Sequence, residues 1–142
     1  MPTRKASAAW EGDLKGGRGT LRTETGAATG AYSFTSRFEA GKGTNPEELL
    51  AAAHAACYAM ALSGGLGKAG KQPTKIEADA SCTVEQVETG FKVTKMHLTV
   101  RATVADLSND EFQKFAAATR DGCPISGVRK GNVAITLDAK LV

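Results

Sequence analysis

The sequence has few of the residues that mark specialised classes of protein. Its 142 residues include three cysteines, two histidines and one tryptophan, and only 6% of them are aromatic. An odd number of cysteines argues against a disulfide framework, and the absence of C-x-x-C and H-x-x-H spacings argues against a zinc site. The net charge is +3, with the basic residues scattered rather than gathered into a stripe. The sequence therefore predicts neither a metal centre nor a nucleic-acid partner.

Long hydrophobic runs are also scarce. Residues 1–10 lack the apolar segment that a secretory signal peptide needs. The longest predominantly apolar run, Leu49 to Leu62, has fourteen residues, fewer than the roughly 18 needed to cross a bilayer. These features predict a cytoplasmic protein with no membrane partner. A chain of this length, 42% hydrophobic and 23% charged, is expected to fold as a single domain over residues 1–142.

The stretch from Asn45 to Leu62, NPEELLAAAHAACYAMAL, has the pattern of a central helix. Asn45 suits the N-cap, Pro46 suits the first helical position, and Glu47 compensates the positive end of the helix dipole. Beyond Leu49 only His54 and Tyr58 carry strongly polar atoms. A helix that is apolar on all sides is normally buried, so we expect this one to be buried all round.

The rest of the chain reads as strands with two further helices. Period-two patterns predict strands over Lys5–Trp10, Arg18–Thr25, Tyr32–Phe38, Ile76–Val87, Phe91–Val104 and Asn132–Leu141. Helical patterns follow over Asp106–Arg120 and, in a short piece, from Cys123-Pro124 to Arg129. The order β-β-β-α-β-β-α-(α)-β predicts an α+β fold, with an antiparallel sheet packed on the central helix.

Three cysteines are the first candidates for chemistry. Cys57, in the middle of the apolar helix, reads by itself as a small buried hydrophobe. Cys123 lies between Gly122 and Pro124, where a helix can begin, and a thiol in that position gains thiolate character. Cys82 lies in an alternating strand and reads as structural or incidental.

Several stretches in order resemble the OsmC/Ohr family of osmotically inducible and organic hydroperoxide resistance proteins. They are WEGDLKGGRGTLRTETG, SRFEAGKGTNPEELL, NPEELLAAAHAAC and, 66 residues after Cys57, the CPIS of GCPISGVRKGNVAITLDAKL. The similarity covers nearly the whole chain. It is closer to the OsmC branch, because an arginine falls in SRFE just before the central helix.

The resemblance implies both a fold and an activity. It implies an intertwined homodimer of α+β subunits, with antiparallel sheets packed around a long buried helix. The implied activity is that of a thiol peroxidase in oxidative or osmotic stress defence, which reduces organic hydroperoxides and, less well, hydrogen peroxide. No metal, flavin or haem cofactor is implied, and an external dithiol, such as a lipoylated protein, would be the reductant.

The resemblance also implies roles for four residues. Cys57 matches the peroxide-attacking cysteine and Cys123 the resolving one, so a Cys57–Cys123 disulfide is implied. Arg37 and Glu47 match the pair that tunes the attacking thiolate. These residue types suit the chemistry, because burial raises the pKa of a thiol and a nearby cation lowers it. A carboxylate can hold that guanidinium by a bidentate pair.

The spacing of two of these residues raises a geometrical question. Glu47 and Cys57 are ten residues apart, about 15 Å along a straight helix at ~1.5 Å per residue. They cannot serve one site from a single straight helix. Either the helix bends, or two central helices pack antiparallel across a two-fold axis and each site combines residues of both subunits.

Two alternatives to the peroxidase remain open at this point. One is a hydrolase or acyl-transfer enzyme in which His54, one helical turn before Cys57, acts as a base; it would keep its turnover after Cys123→Ser. The other is a non-catalytic dimer that binds a small ligand in an apolar pocket or senses redox state. That dimer would form its disulfide slowly and release no burst of alcohol.

Overall fold

The computed structural model describes residues 1–129 and 131–142. Backbone contacts divide the chain into two compact units, residues 1–49 and 50–142, which are described separately. The single domain expected from the chain length stays a prediction. The elements are β1 Ala6–Glu11, β2 Arg18–Thr23, β3 Thr29–Tyr32, α1 Phe34–Phe38, α2 Pro46–Lys68, β4 Pro73–Val87, β5 Gly90–Val104, α3 Asn109–Gly122, α4 Pro124–Arg129 and β6 Ala134–Leu141.

The first unit is an antiparallel sheet in the order β1-β2-β3, followed by the short helix α1. The predicted strand over Tyr32–Phe38 is wrong, because the chain leaves β3 at Tyr32 and enters α1. Ser33 caps this helix: its side chain accepts a hydrogen bond from the Ser36 backbone N–H, and the Ser36 hydroxyl accepts one from the Ser33 N–H. This reciprocal cap outweighs the alternating pattern.

The second unit is a three-stranded sheet in the order β4-β5-β6. The predicted hairpin is confirmed, since β4 and β5 pair antiparallel over nearly their whole length. The expectation of a wholly antiparallel sheet is wrong, because β6 runs parallel to β5. Two helices, α3 and α4, connect these strands, and a helical crossover returns the chain in the same direction.

The core of the second unit lies between α2, β5 and α3. Tyr58, Leu62 and Leu66 of α2 are fully buried in it, with residues of β5 and with Phe112 of α3. By length and mean hydropathy α2 would also qualify as a membrane-spanning helix. The core helices of soluble proteins meet the same criterion, and these buried contacts make α2 the core helix of its unit.

The expectation that α2 is buried on all sides is wrong for the single chain. Its buried face consists of residues three and four apart: Ala51, His54, Tyr58, Leu62 and Leu66. On the other side Met60 is 79% exposed and Leu50 is 39% exposed, with exposed alanines at 52, 53 and 56. The single chain thus leaves an apolar face of this helix uncovered.

Candidate active site

Arg37 and Glu47 form a bidentate ion pair in the first unit. Arg37 lies in the last turn of α1, and Glu47 in the first turn of α2. The arginine Nε donates to both carboxylate oxygens at 3.0 and 3.2 Å, and Nη2 donates to Oε1 at 2.7 Å. Glu47 is only 7% exposed, whereas the Arg37 side chain is 38% exposed. The buried carboxylate therefore fixes a guanidinium that still reaches solvent.

An apolar cleft of about 260 Å³ adjoins Arg37 in the same unit. Its walls are mostly aromatic and come from β1, β3 and α1: Trp10, Tyr32, Phe34 and Phe38, with Leu14 beside them. The guanidinium carbon of Arg37 also lies 5.0 Å from the centre of the Phe38 ring, within the range of a cation–π contact. The pairing of Arg37 with Glu47 and the aromatic surroundings together restrict where this guanidinium can point.

Cys57 and Cys123 are brought together in the second unit. Cys57 lies in α2, and Cys123 lies at the junction between α3 and α4, where it is 1% exposed. Each thiol shifts the pKa of the other, and the backbone N–H of Ile125 acts to lower the pKa of both, so the two side chains lie near each other. Both cysteines are free thiols. Two thiols that are distant in sequence are thus neighbours in the second unit, as the formation of a disulfide requires.

The surroundings shift the pKa values of the two thiols in opposite directions. Burial raises the pKa of Cys57, and the neighbouring Cys123 raises it further, against the lowering effects of the Ile125 N–H and Arg129. Burial also acts to raise the pKa of Cys123, but hydrogen bonds from the Ser126 side chain and backbone, together with the smaller effects of Cys57 and the Ile125 N–H, lower that pKa. Within this unit the thiolate is therefore favoured on Cys123.

His54 joins this group through Ser126 rather than through Cys57. Its Nε2 lies 2.9 Å from the Ser126 hydroxyl, which in turn lies 3.3 Å from the Cys123 sulfur. The Nδ1 atom of His54 is buried and has no hydrogen-bond partner in the part of the chain that the structure describes. The catalytic pair of Cys57 and His54, considered from the sequence, is thus not supported by these contacts.

Arg129 is a further functional candidate that the sequence did not indicate. It ends α4 and is only 7% exposed, and none of its three guanidinium nitrogens has a hydrogen-bond partner among the described residues. Negative charge on Cys82, Cys123 or Cys57 acts to raise its pKa, while burial acts first to lower it. The only sequence signal was the basic pair Arg129-Lys130, which is typical of a surface.

Acidification is expected to weaken the fold through His54. Burial first, and then the positive charge of Arg129, lower the pKa of His54 from 6.5 to about 4. Between these pH values the unfolded chain binds a proton that the folded chain does not, so the free energy of unfolding falls as the pH drops from 6.5 to 4. At 1.36 kcal/mol per pKa unit the loss is at most about 3 kcal/mol.

Urea unfolding at pH 7 and at pH 4.5 measures this loss, and His54→Gln should reduce it. His97→Gln is the matched control, since His97 is partly exposed in the sheet and bonds to Thr136. Carboxylates that titrate in the same range contribute equally to all three proteins. The same loss in the wild type and in His54→Gln would contradict the assignment.

An apolar groove of about 440 Å³ borders Cys123 in the second unit. It is lined by residues of α2 and α3, among them Ala61, Gly64, Gly65, Phe115 and Ala118. The glycines leave room beside α2, and Phe115 supplies an apolar wall. Among the residues that the structure describes, no group of three or more His, Cys, Asp or Glu side chains is arranged to hold a metal ion. The groove thus offers a thiol beside space for an organic group.

The chain matches the family described as OsmC-like protein over residues 39–138. It is 45% identical over 139 residues to the peroxiredoxin OsmC of Escherichia coli strain K12, covering 97% of this chain and 96% of that one. It is 32% identical over 103 residues to the organic hydroperoxide resistance protein OhrB of Bacillus subtilis, covering 69% of this chain and 71% of that one.

Solved structures of such proteins share the fold. An organic hydroperoxide resistance protein from Elizabethkingia anophelis matches with a TM-score of 0.77 and 22% identity over 100% of this chain and 98% of that one. An organic hydroperoxide resistance protein OsmC from Legionella pneumophila matches with a TM-score of 0.74 and 23% identity over the whole of both chains. The α+β architecture expected from the sequence is confirmed by these likenesses.

Proposed function

This chain belongs to the OsmC-like protein family, and we propose that it reduces organic hydroperoxides with Cys57 and Cys123 as its redox pair. The protein is a cysteine-based peroxidase. The observation that carries the assignment of the two cysteines is the proximity of their thiols, each of which shifts the pKa of the other although they are 66 residues apart in sequence. A peroxidase of this kind needs one thiol to attack and a second one within reach.

The proposed cycle oxidises two thiols and reduces one peroxide. The Cys57 thiolate attacks a peroxide oxygen of ROOH, the O–O bond breaks, and the alkoxide leaves as ROH after taking a proton. Cys57 is then a sulfenic acid. The Cys123 sulfur attacks the Cys57 sulfur, an S–S bond forms, and the hydroxyl leaves as water. The apolar groove beside Cys123 supports a substrate with an organic group over hydrogen peroxide.

Arg37 supplies the positive charge that the attacking thiol needs. Burial raises the pKa of Cys57, so a cation must stabilise its thiolate and the charge that develops on the departing alkoxide. Glu47 holds this guanidinium in a bidentate pair of 2.7 to 3.2 Å. The ion pair belongs to the first unit and the thiols to the second, and α2 is continuous from Pro46 to Lys68.

The working molecule is a homodimer in which Arg37 and Glu47 of one subunit serve Cys57 of the other. The exposed apolar face of α2, with Met60 79% exposed, supports this arrangement, because an uncovered apolar helix face is normally buried by association. Glu47 and Cys57 of one chain are about 15 Å apart along α2. When two such helices pack antiparallel across a two-fold axis, Glu47 of one subunit can instead lie beside Cys57 of the other.

The cycle closes when an external dithiol, such as a lipoylated protein, reduces the disulfide. The cytoplasm suits this step, since thiols are kept reduced there. The biological role is defence against oxidative or osmotic stress. The reductant, the location and the biological role each rest on the family resemblance and on the chemistry of a free dithiol.

The test is to mix fully reduced protein with one equivalent of cumene hydroperoxide without air, count the remaining thiols and map the disulfides by mass spectrometry. Two thiols per chain should be lost within seconds, joined as Cys57–Cys123, while Cys82 stays a reduced thiol and one cumyl alcohol is released. Hydrogen peroxide should react more slowly. Survival of all three thiols would refute the proposal and favour the ligand-binding dimer.

A further inference from the structure

The helix α4 buries its polar side and exposes an apolar residue, which is the opposite of an ordinary surface helix. The two buried residues of α4 are Ser126 and Arg129, one polar and one charged, whereas Val128 is 82% exposed. Cys123, Ser126 and Arg129 recur every three residues, so they share one face of this helix. Burying a charge without a partner is costly. This face is therefore expected to serve a group that lies inside the unit.

The Cys123 sulfur is that group. It accepts a hydrogen bond from the Ser126 backbone N–H at 3.4 Å and contacts the Ser126 hydroxyl at 3.3 Å. The hydroxyl also contacts His54 Nε2 at 2.9 Å. Cys123, Ser126 and His54 are 1%, 2% and 0% exposed. A continuous series of almost fully buried polar atoms thus runs from α2 to the resolving sulfur.

The direction of the hydrogen bonds between His54, Ser126 and Cys123 follows from the protonation of His54. His54 is neutral near pH 7, because burial and Arg129 lower its pKa to about 4. If its proton were on Nδ1, that buried N–H would have no hydrogen-bond partner and would also face the positive charge of Arg129. Both would be costly. The proton is therefore assigned to Nε2, which donates to Ser126, so that the Ser126 hydroxyl donates to the sulfur. Both donors of Ser126 then point at Cys123, which suits a thiolate.

No described residue accepts a hydrogen bond from the guanidinium of Arg129. Of the described residues 50–142, it is the only buried one with a permanently charged side chain. The titratable groups that face the cluster are Cys57, His54 and Tyr58 of α2 and Cys82 of β4. Arg120 and Asp121 at the end of α3 line a cavity with Ser126, and the Asp121 carboxylate is bonded to the Arg120 guanidinium. His54 is neutral, and burial raises the pKa of Tyr58 well above its usual range. A cysteine thiolate is thus the anion that this guanidinium can stabilise.

We propose that Ser126, His54 and Arg129 are positioning residues that hold Cys123 as a thiolate for the resolving step. This deepens the proposed function and rests on it. In that step Cys123–S⁻ attacks the sulfur of Cys57–S–OH, the Cys57 S–OH bond breaks, and the S–S bond forms. The hydroxide takes a proton from the solvent, to which Cys123 had earlier lost its own, and leaves as water. A preformed thiolate shortens the life of the sulfenic acid and limits over-oxidation.

Two measurements test the proposal. The first is a pH titration of thiolate absorbance at 240 nm in Cys57→Ser/Cys82→Ser protein, which reports Cys123 without requiring reagent access. Arg129→Gln and Ser126→Ala should each raise the midpoint by about one pH unit or more, a tenfold change in thiolate fraction. Arg129→Lys should recover part of the Arg129→Gln shift, because the charge is kept. Ser81→Ala and Arg101→Gln, at exposed positions of the sheet, are the matched controls.

The second measurement is stopped-flow kinetics in the three-cysteine protein. At pH 7 disulfide formation in Ser126→Ala and Arg129→Gln should slow about tenfold or more relative to the control variants, while one alcohol per chain is still released. Circular dichroism identifies any variant that does not fold, and Ser126→Ala and Arg129→Lys preserve the test if Arg129→Gln is lost.

Midpoints and disulfide rates equal to those of the controls would overturn the proposal. Its failure is distinguishable from failure of the peroxidase assignment. If the wild type releases no alcohol, the assignment fails, and the absorbance titration still decides whether the cluster holds a Cys123 thiolate.

Discussion

Replacement of Cys57 by serine should lower the reduction of cumene hydroperoxide at least about 1,000-fold, because the hydroxyl cannot form the nucleophile at neutral pH. Replacement of Cys123 by serine should give a different result. One alcohol is released per chain, and turnover then stops, since the Cys57 sulfenic acid has no resolving thiol. The two outcomes distinguish the attacking sulfur from the resolving one, although the two thiols lie near each other in the structure.

Quench-flow measurement of cumyl alcohol, with and without an external dithiol, makes this comparison. Cys82→Ser is the matched control and should keep full turnover, because Cys82 lies on β4 and has no role in the proposed cycle. A burst of alcohol from Cys57→Ser but none from Cys123→Ser would exchange the two roles. That result would agree with the lower pKa of Cys123 and would contradict the assignment made here.

Replacement of Arg37 by methionine should lower the rate of reaction with the peroxide about 100-fold or more, since the thiolate and the departing alkoxide lose their cation. A mixture of Arg37→Met and Cys57→Ser chains should recover activity if each site combines residues of two subunits. Half of the dimers are then mixed, and each mixed dimer has one intact site of two, so about a quarter of the wild-type activity is expected.

The mixed protein is prepared by unfolding the two variants together and refolding them, and the dimer is checked by light scattering. The matched control mixes Cys57→Ser with the double variant Arg37→Met/Cys57→Ser, which contains no intact thiol site and should stay inactive. If the first mixture is also inactive while mixed dimers are present, each site is built within one chain. Recovery without any dimer would contradict the two-fold arrangement itself.

Local signals in the sequence predicted most of the elements. Asn45, Pro46 and the acidic first turn predicted the start of α2, and the alternating residues on both sides of the turn at 88–90 predicted the β4–β5 hairpin. The failure at Tyr32–Phe38 has a clear cause. Phe34 and Phe38 share a side in a strand and also in a helix, where their rings lie 5.1 Å apart. The Ser33 cap decides between the two conformations.

The candidate site could be predicted only in part. The four residues suggested by the family resemblance form two close pairs, Arg37 with Glu47 and Cys57 with Cys123. Ser126 and Arg129 were missed, because a six-residue helix is too short for its pattern to show which side is buried. Their role depends on burial, and burial of a polar residue contradicts the ordinary expectation from sequence.

The sequence by itself determined α2, α3, α4 and the hairpin, since these depend on caps, periodicity and residue type within short stretches of chain, and the family resemblance identified the candidate redox cysteines. The tertiary structure alone decided the parallel pairing of β6 with β5, the uncovered face of α2 and the contacts of Cys123 with Ser126 and of Ser126 with His54. Those features join residues far apart in the chain or depend on which face is buried. Local propensity carries no information about such contacts, because packing of the whole unit selects them.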